Sequence, residues 1–456
     1  VGASYSCPIV TPRPSGSDVR RLPEKLMQGS NGSPTTASEK PTSSPPAAAR
    51  CPFSLMSLEN RDPFPPYEAM RALGKVIWDE KAKGWLVVDF EICRYVELHE
   101  EDQFRNPYAD ADPIVVELKG GRSNISVSQG EQHDRMRRFH MSLLSGKAME
   151  SYRANIVLPV VREALARLAK KAETADLAVD FGDNIPPRVI CALLGMPWQD
   201  DGLIEKTLQL HEEIMEWIGK GYSIDPEGVR RARAASAEIN VTLLPYIRER
   251  RERPKDDFIS RVWLEAPAEY GALSEEDALA ICRELFLGGA DTTVHGIANS
   301  FYLLLWNSEV RAAVRGNREL LAGVIEESQR LYGSPQYRYR RANRDCELAG
   351  VAIAKDQLII LVHGAANRDP ARFGACPSAP DLNRPRLRDH LTFNYGPRTC
   401  VGSGLARIEM RDALDAVLDR FPEVAPNPRM PPPVFANLFM RSFRPLNVEL
   451  GRRAGA

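Results

Sequence analysis

The chain is 456 residues long, 43% hydrophobic and 27% charged, with a formal net charge of -1, the balance of an ordinary globular protein with material for a large core. That near-neutrality excludes a global electrostatic case for nucleic acid or an anionic membrane as partner. Apolar runs such as Leu358 to Val362 and Phe301 to Trp306 fall far short of the ~20 residues that a membrane-crossing helix needs.

No charged segment followed by an apolar one opens the sequence, so no secretory leader is visible. The eight cysteines are scattered, without a C-x-x-C pair, which argues against a zinc site or a disulfide framework and fits a reducing cytoplasm. Residues 1–50 read as a flexible extension rich in Pro, Ser and Ala, because from Gly29 to Arg50 hardly a large apolar residue occurs and such a stretch cannot offset its own ordering entropy. A single catalytic domain is expected over residues 51–456.

Asp62 to Glu68 opens a short helix, and Gly84 to Phe90 reads as a strand bounded by a turn. From about 131 to 332 the periodicity is helical. Within it His133 and Arg137 are four apart and share a helix face. Asp183 to Pro187 leads into a helix from Arg188 that Gly195 ends, with proline early and glycine last. Ser274, followed by Glu275, Glu276 and Asp277, caps a long apolar helix.

That helix is interrupted at Leu285 to Thr293 by adjacent glycines, Gly288 and Gly289, each costing about 1 kcal/mol relative to alanine in a helix interior. One reading is that the glycines permit close helix packing while Thr292 bonds back to a carbonyl one turn earlier. The other is that they open a bulge able to seat dioxygen, with Asp291 and Thr292 as an acid and alcohol pair that handles protons. Further on, Glu327 and Arg330 stand three apart on a helix face.

After about 333 the chain turns to short strands and coil rich in Arg, Pro and Gly. Arg340 lies five residues before Asp345, and Arg384 falls in Asp381 to Arg384. In Phe393 to Gly402 one cysteine, Cys400, sits in a turn flanked by Gly396 and Gly402, with Arg398 two positions ahead. The glycines let the chain wrap a sulfur and aim amides at it. An amphipathic helix from Leu405 to Leu414 adds a favourable N-terminal dipole. Cys400 is therefore the candidate iron ligand.

Phe393 to Gly402 resembles the haem-binding loop of the cytochrome P-450 family, in which a cysteine thiolate is the proximal ligand of haem iron. Asn394 stands where the family usually has glycine; asparagine is the next most tolerant of positive φ. Gly288, Gly289, Asp291 and Thr292 resemble the family's A/G-G-x-D/E-T, Glu327 and Arg330 its E-x-x-R, and Ala366 to Phe373 its A-N-R-D-P-x-x-F. The motifs run from about 60 to 456 in the family's order, and the lack of an N-terminal anchor points to the soluble bacterial type.

The resemblance implies a mainly α protein with a small β region, the cytochrome P-450 fold, with haem b buried between the long kinked helix and the helix after the cysteine loop. It implies Cys400 on iron and His133, Arg137, Arg340 and Arg398 as holders of the two haem carboxylates, with His390 near the haem edge. Glu327, Arg330 and Arg384 become a structural lock. The implied activity is a cytoplasmic monooxygenase that uses O2 and two electrons to hydroxylate an apolar small molecule, with electrons from NAD(P)H through a ferredoxin reductase and a ferredoxin. Arg135, Arg138, Arg407 and Arg411 offer a basic docking face or a merely solvated one. A peroxide-driven or non-oxygenating haem-thiolate enzyme, or a haem sensor, is the alternative.

Overall fold

Ser274 begins the central element as its sequence suggests: its hydroxyl accepts from the Asp277 amide while the Asp277 carboxylate accepts from the Ser274 amide, a closed capping box. The helix Glu275–Gly289 that follows breaks at Ala290 (φ -91, ψ -66) and restarts as Asp291–Trp306. Its first arm packs on the helices Pro226–Glu252, Phe258–Glu265 and Pro186–Leu193; its second packs on Leu321–Tyr332 and Ser403–Arg420. The second arm is buried along most of its length, as a helix through a core must be.

This computed structural model describes residues 50–100, 102–107, 113–144, 146–171, 173–219 and 226–451. The expected extension lies outside the described residues apart from Arg50, which bridges to Trp78. The helix Pro186–Leu193 starts on its prolines, and Gly195 just past it has φ +69, where a Cβ would stand 2.2 Å from the Asp257 carboxylate. One boundary differs from expectation. The strand stops at Val87 because the Asp89 side chain accepts from the Ile92 amide and starts the helix Phe90–Leu98.

The β region is small. Its largest sheet has the strand order Val76–Asp79, Gly84–Val87, Leu358–Leu361, Arg338–Ala342, Phe104–Arg105, with the second and third parallel and the other pairs antiparallel. Leu358 to Leu361, the apolar run of the sequence, is its middle strand and is buried beyond Leu358. Arg338–Ala342 beside it sends Arg338 and Arg340 toward one side, since alternate residues share a face. That side is the cavity.

Candidate active site

A cavity of about 340 Å³ lies between the two arms of the broken helix and the loop that ends in Cys400. The loop is shaped by its own backbone: Cys400 N donates to the Phe393 carbonyl (2.8 Å), Thr399 Oγ1 donates to the Gly396 carbonyl (2.8 Å), and Asn394 and Gly396 take φ of +59 and +65. A Cβ on Gly396 would come within 3.1 Å of the Glu97 carbonyl, so glycine is needed for space as well as angle. Asn394 takes the place of the family's glycine and adds bonds: its Oδ1 accepts from Arg338 Nε (2.9 Å) and its Nδ2 donates to the Arg398 carbonyl (3.2 Å).

Cys400 lines the cavity and is exposed to it. Burial pushes its thiol above the usual value, and the Gly402 amide with Arg338 and Arg407 offsets that only in part. A metal cation bound at the sulfur removes that proton outright.

Gly288, Gly289, Thr292, Thr293 and Gly296 form the facing wall. Thr292 Oγ1 donates to the Gly288 carbonyl at 3.0 Å, and a Cβ on Gly289 would stand 2.3 Å from Ile190 Cδ1. Close packing and back-bonding are both real, yet the same residues open onto the cavity. Asp291 does not line it. Its carboxylate turns to the far side of the helix, where burial would raise its pKa and His295, His211 and Arg444 bring it below the ordinary value.

His133, Arg137, Arg340 and Arg398 all reach the cavity, joined by Arg338. Arg137 donates to the Thr399 carbonyl (2.7 Å) and Arg398 to the carbonyls of Ile125 (3.1 Å) and Ser128 (2.7 Å), so both are tied to the loops around the sulfur. His133 is buried with its Nδ1 lacking a hydrogen-bond partner, and burial followed by the Arg398 charge pushes it down to about 4. Arg340 Nε is likewise unsatisfied. Orphaned donors and guanidinium groups around a cavity with sulfur on one wall fit a flat metal-bearing group that carries two carboxylates.

The sequence missed the anions among them. Glu100 and Glu97 are 1% and 0% exposed, and Glu100 takes Arg398 at 2.6 Å and Arg340 at 3.2 Å. Glu284 and Glu409 also line the cavity; Glu409 is buried without a hydrogen-bond partner, and burial pushes its carboxyl well above the usual range. Nothing local marks these four, because a Glu is solvated by default.

The expected lock is assembled. Arg330 binds Glu327 through two 2.7 Å bonds, Arg384 Nε adds one at 3.2 Å, and Arg330 also donates to the carbonyls of Asn367, Pro377 and Ala379. His390 does not line the cavity; it pairs with Glu326 at 3.1 Å. Arg407 pairs with the same Glu326 at 2.6 Å and lies over the Phe393 ring at 4.4 Å, and Arg138 pairs with Glu269 at 3.0 Å. Two of the four arginines expected on a basic face are therefore already neutralised.

Cysteine loop, broken helix and buried E-x-x-R lock together define a haem-thiolate fold, and residues 96–450 match the family described as "Cytochrome P450". The chain belongs to the cytochrome P-450 family and is a monooxygenase acting on a small organic molecule. It is 29% identical over 347 residues, 75% of the chain and 83% of the relative, to the mycinamicin IV hydroxylase/epoxidase of Micromonospora griseorubida. It is 31% identical over 306 residues, 67% of the chain and 75% of the relative, to the C-19 steroid 1alpha-hydroxylase of Sorangium cellulosum. Among solved structures, CYP109E1 from Bacillus megaterium in complex with testosterone superposes with a TM-score of 0.73 at 24% identity, covering 86% of this chain and 100% of that one. The mainly helical architecture with small sheets is the fold of that family. Among the described residues no helix is long and apolar enough to cross a membrane.

Proposed function

We propose that Cys400 would hold the iron of haem b through its sulfur, and that His133, Arg137, Arg340 and Arg398 would hold its two carboxylates. The single observation that carries this is convergence: one cavity brings together the Cys400 sulfur, the Thr292 hydroxyl, the three guanidinium groups and the His133 ring. When bound, a haem with a thiolate ligand activates O2 for insertion into a C–H bond. The chain's own residues do the rest. Thr292, anchored on the Gly288 carbonyl, presents its oxygen to the cavity as an acceptor that orders a water there, and Asp291 behind it supplies protons. Two electrons come from NAD(P)H through a ferredoxin reductase and a ferredoxin in the cytoplasm.

The substrate is an apolar small organic molecule. Asn106, Lys119, Ile125, Met215, Ile218, Leu285, Ser334, Pro335 and Phe439 line the cavity. Leu285, Met215, Ile218 and Phe439 supply apolar contact, with a few polar groups to set orientation. The deciding experiment is the reduced, carbon monoxide-bound spectrum: a strongly red-displaced Soret band in the parent protein and its loss in Cys400→Ser. A parent without that band, or a variant that keeps it, refutes the assignment. With a surrogate ferredoxin pair, Thr292→Ala should release more peroxide per NADH consumed; unchanged coupling removes Thr292 from the proton path.

A further inference from the structure

The face of the broken helix that turns away from the cavity carries a polar row with no role so far. His295, one turn after Asp291, has Nε2 3.5 Å from Asp291 Oδ1 and Nδ1 2.8 Å from Ser442 Oγ. Arg444 Nε donates to the same Ser442 Oγ at 3.1 Å and holds Asp183 through bonds of 2.8 and 2.6 Å. His295 and Ser442 are 7% and 1% exposed. The row runs from the buried acid to an ion pair, Arg444 and Asp183, that is about a quarter exposed.

Donor counting fixes the hydrogens. A carboxylate can only accept, so the Asp291 oxygen facing Nε2 takes its hydrogen from the ring, and Ser442 Oγ, which accepts from the Arg444 guanidinium, has its one hydroxyl hydrogen to give to Nδ1 of the neutral ring. A ring nitrogen that accepts carries no hydrogen. The imidazole hydrogen then sits on Nε2, the nitrogen that faces Asp291. The other groups facing this acid are Arg444 itself and His211 of the helix Asp201–Gly219. His211 is fully buried against the Phe286 ring with neither ring nitrogen hydrogen-bonded, and burial pushes it down to about 4, so it brings no charge at neutral pH.

We propose that His295 is a positioning residue for the proton delivery assigned above to Asp291, an inference that rests on that assignment: Ser442 and Arg444 lock it as the Nε2–H tautomer, and that hydrogen orients the Asp291 carboxylate beside the helix break. His295 keeps its proton throughout. Asp291 gains one from water and passes one toward the cavity, so the two transfers balance at the carboxylate. A side chain that only donates a hydrogen bond one turn away can replace such a group, and glutamine at this spacing does so for an aspartate.

The test uses the full, haem-loaded chain. Nitrogen-15 labelled histidine spectra of the carbon monoxide-bound reduced protein, a diamagnetic form, report the tautomer, with His295 assigned by the signals missing in His295→Gln. Expected are a protonated Nε2 in the parent and a mixed tautomer in Ser442→Ala. With a surrogate ferredoxin pair, His295→Phe should lower product formed per NADH on the order of tenfold, as loss of an outer partner of a reactive group does, and His295→Gln should recover most of it. A parent His295 protonated on Nδ1, a harmless His295→Phe, or a His295→Gln as damaging as the phenylalanine overturns the proposal. If His295→Phe does not fold, the tautomer in Ser442→Ala decides alone. A parent lacking the red-displaced carbon monoxide band would instead strike the assignment of Cys400.

Discussion

Gly289 offers a sharp test of why the central helix is built as it is. A methyl group added there would lie 2.3 Å from Ile190 Cδ1 and 2.9 Å from Ile190 Cγ1, both closer than real carbon contacts, so Gly289→Ala must turn the Ile190 side chain out of place or push its helix Pro186–Leu193 away. Alanine gains about 1 kcal/mol over glycine in a helix, while overpacking a core costs about 1–3 kcal/mol. The expected balance is destabilisation by about 0–2 kcal/mol. Ile190→Ala alone leaves a hole in the core and costs about 2–5 kcal/mol. In the double variant the new methyl fills the space the isoleucine vacated, so urea denaturation of the haem-loaded protein followed by circular dichroism should show a favourable coupling of at least about 1 kcal/mol. Additivity within about 0.5 kcal/mol would mean that the contact between these two residues does not account for the glycine.

Two other predictions concern buried carboxylates. Burial would raise the Glu326 pKa, but the bonds from His390 and Arg407 overcome it and hold the group at about 2. Its folded value is depressed, so its stabilisation is present above about pH 4.5 and is lost as pH falls toward 2; Glu326→Gln should flatten acid unfolding over that window, and an unchanged acid limb would contradict the network. Glu409 has the opposite sign: burial raises its folded pKa, so the unfolded chain ionises first and stability falls as pH rises above about 4.5. Glu409→Gln should therefore be more stable than the parent at pH 8, with the difference closing near pH 4, as read by thermal denaturation in matched buffers. A variant less stable at pH 8 would show that Glu409 is ionised and partnered there.

What could be read from the sequence was whatever is encoded locally. Ser274 with Asp277, Gly195 after its helix, the glycines around Cys400 and the three-residue spacing of Glu327 and Arg330 each announce themselves within a few positions, and the structure forms all of them. The bond from Arg384 to Glu327, 57 positions earlier, was legible only as a resemblance, and the three carbonyls from residues 367–379 that Arg330 also holds were not legible. Burial of charge was not legible at all. Glu100 looks like one more acid in an acidic stretch, yet it meets Arg398, which lies 298 positions away. Arg407 looks solvated on its own helix because its partner Glu326 lies 81 positions earlier. The strand that overran into Phe90 failed for a different reason: the apolar alternation continues past Val87, and only the Asp89 cap marks where it stops meaning strand.

The break at Ala290 also sets how mechanical load is shared. The segment before it leans on Pro186–Leu193, Pro226–Glu252 and Phe258–Glu265, while the segment after it is clamped to Leu321–Tyr332, Ser403–Arg420 and the strand Ser442–Arg444. With regular helix geometry interrupted between them, bending at one residue absorbs displacement of the first group, because a few terminal positions suffice as a hinge. The half of the molecule around the first segment is thereby coupled to the half that keeps a sulfur in register chiefly through this one bend and the contact of the second segment with Pro186–Leu193.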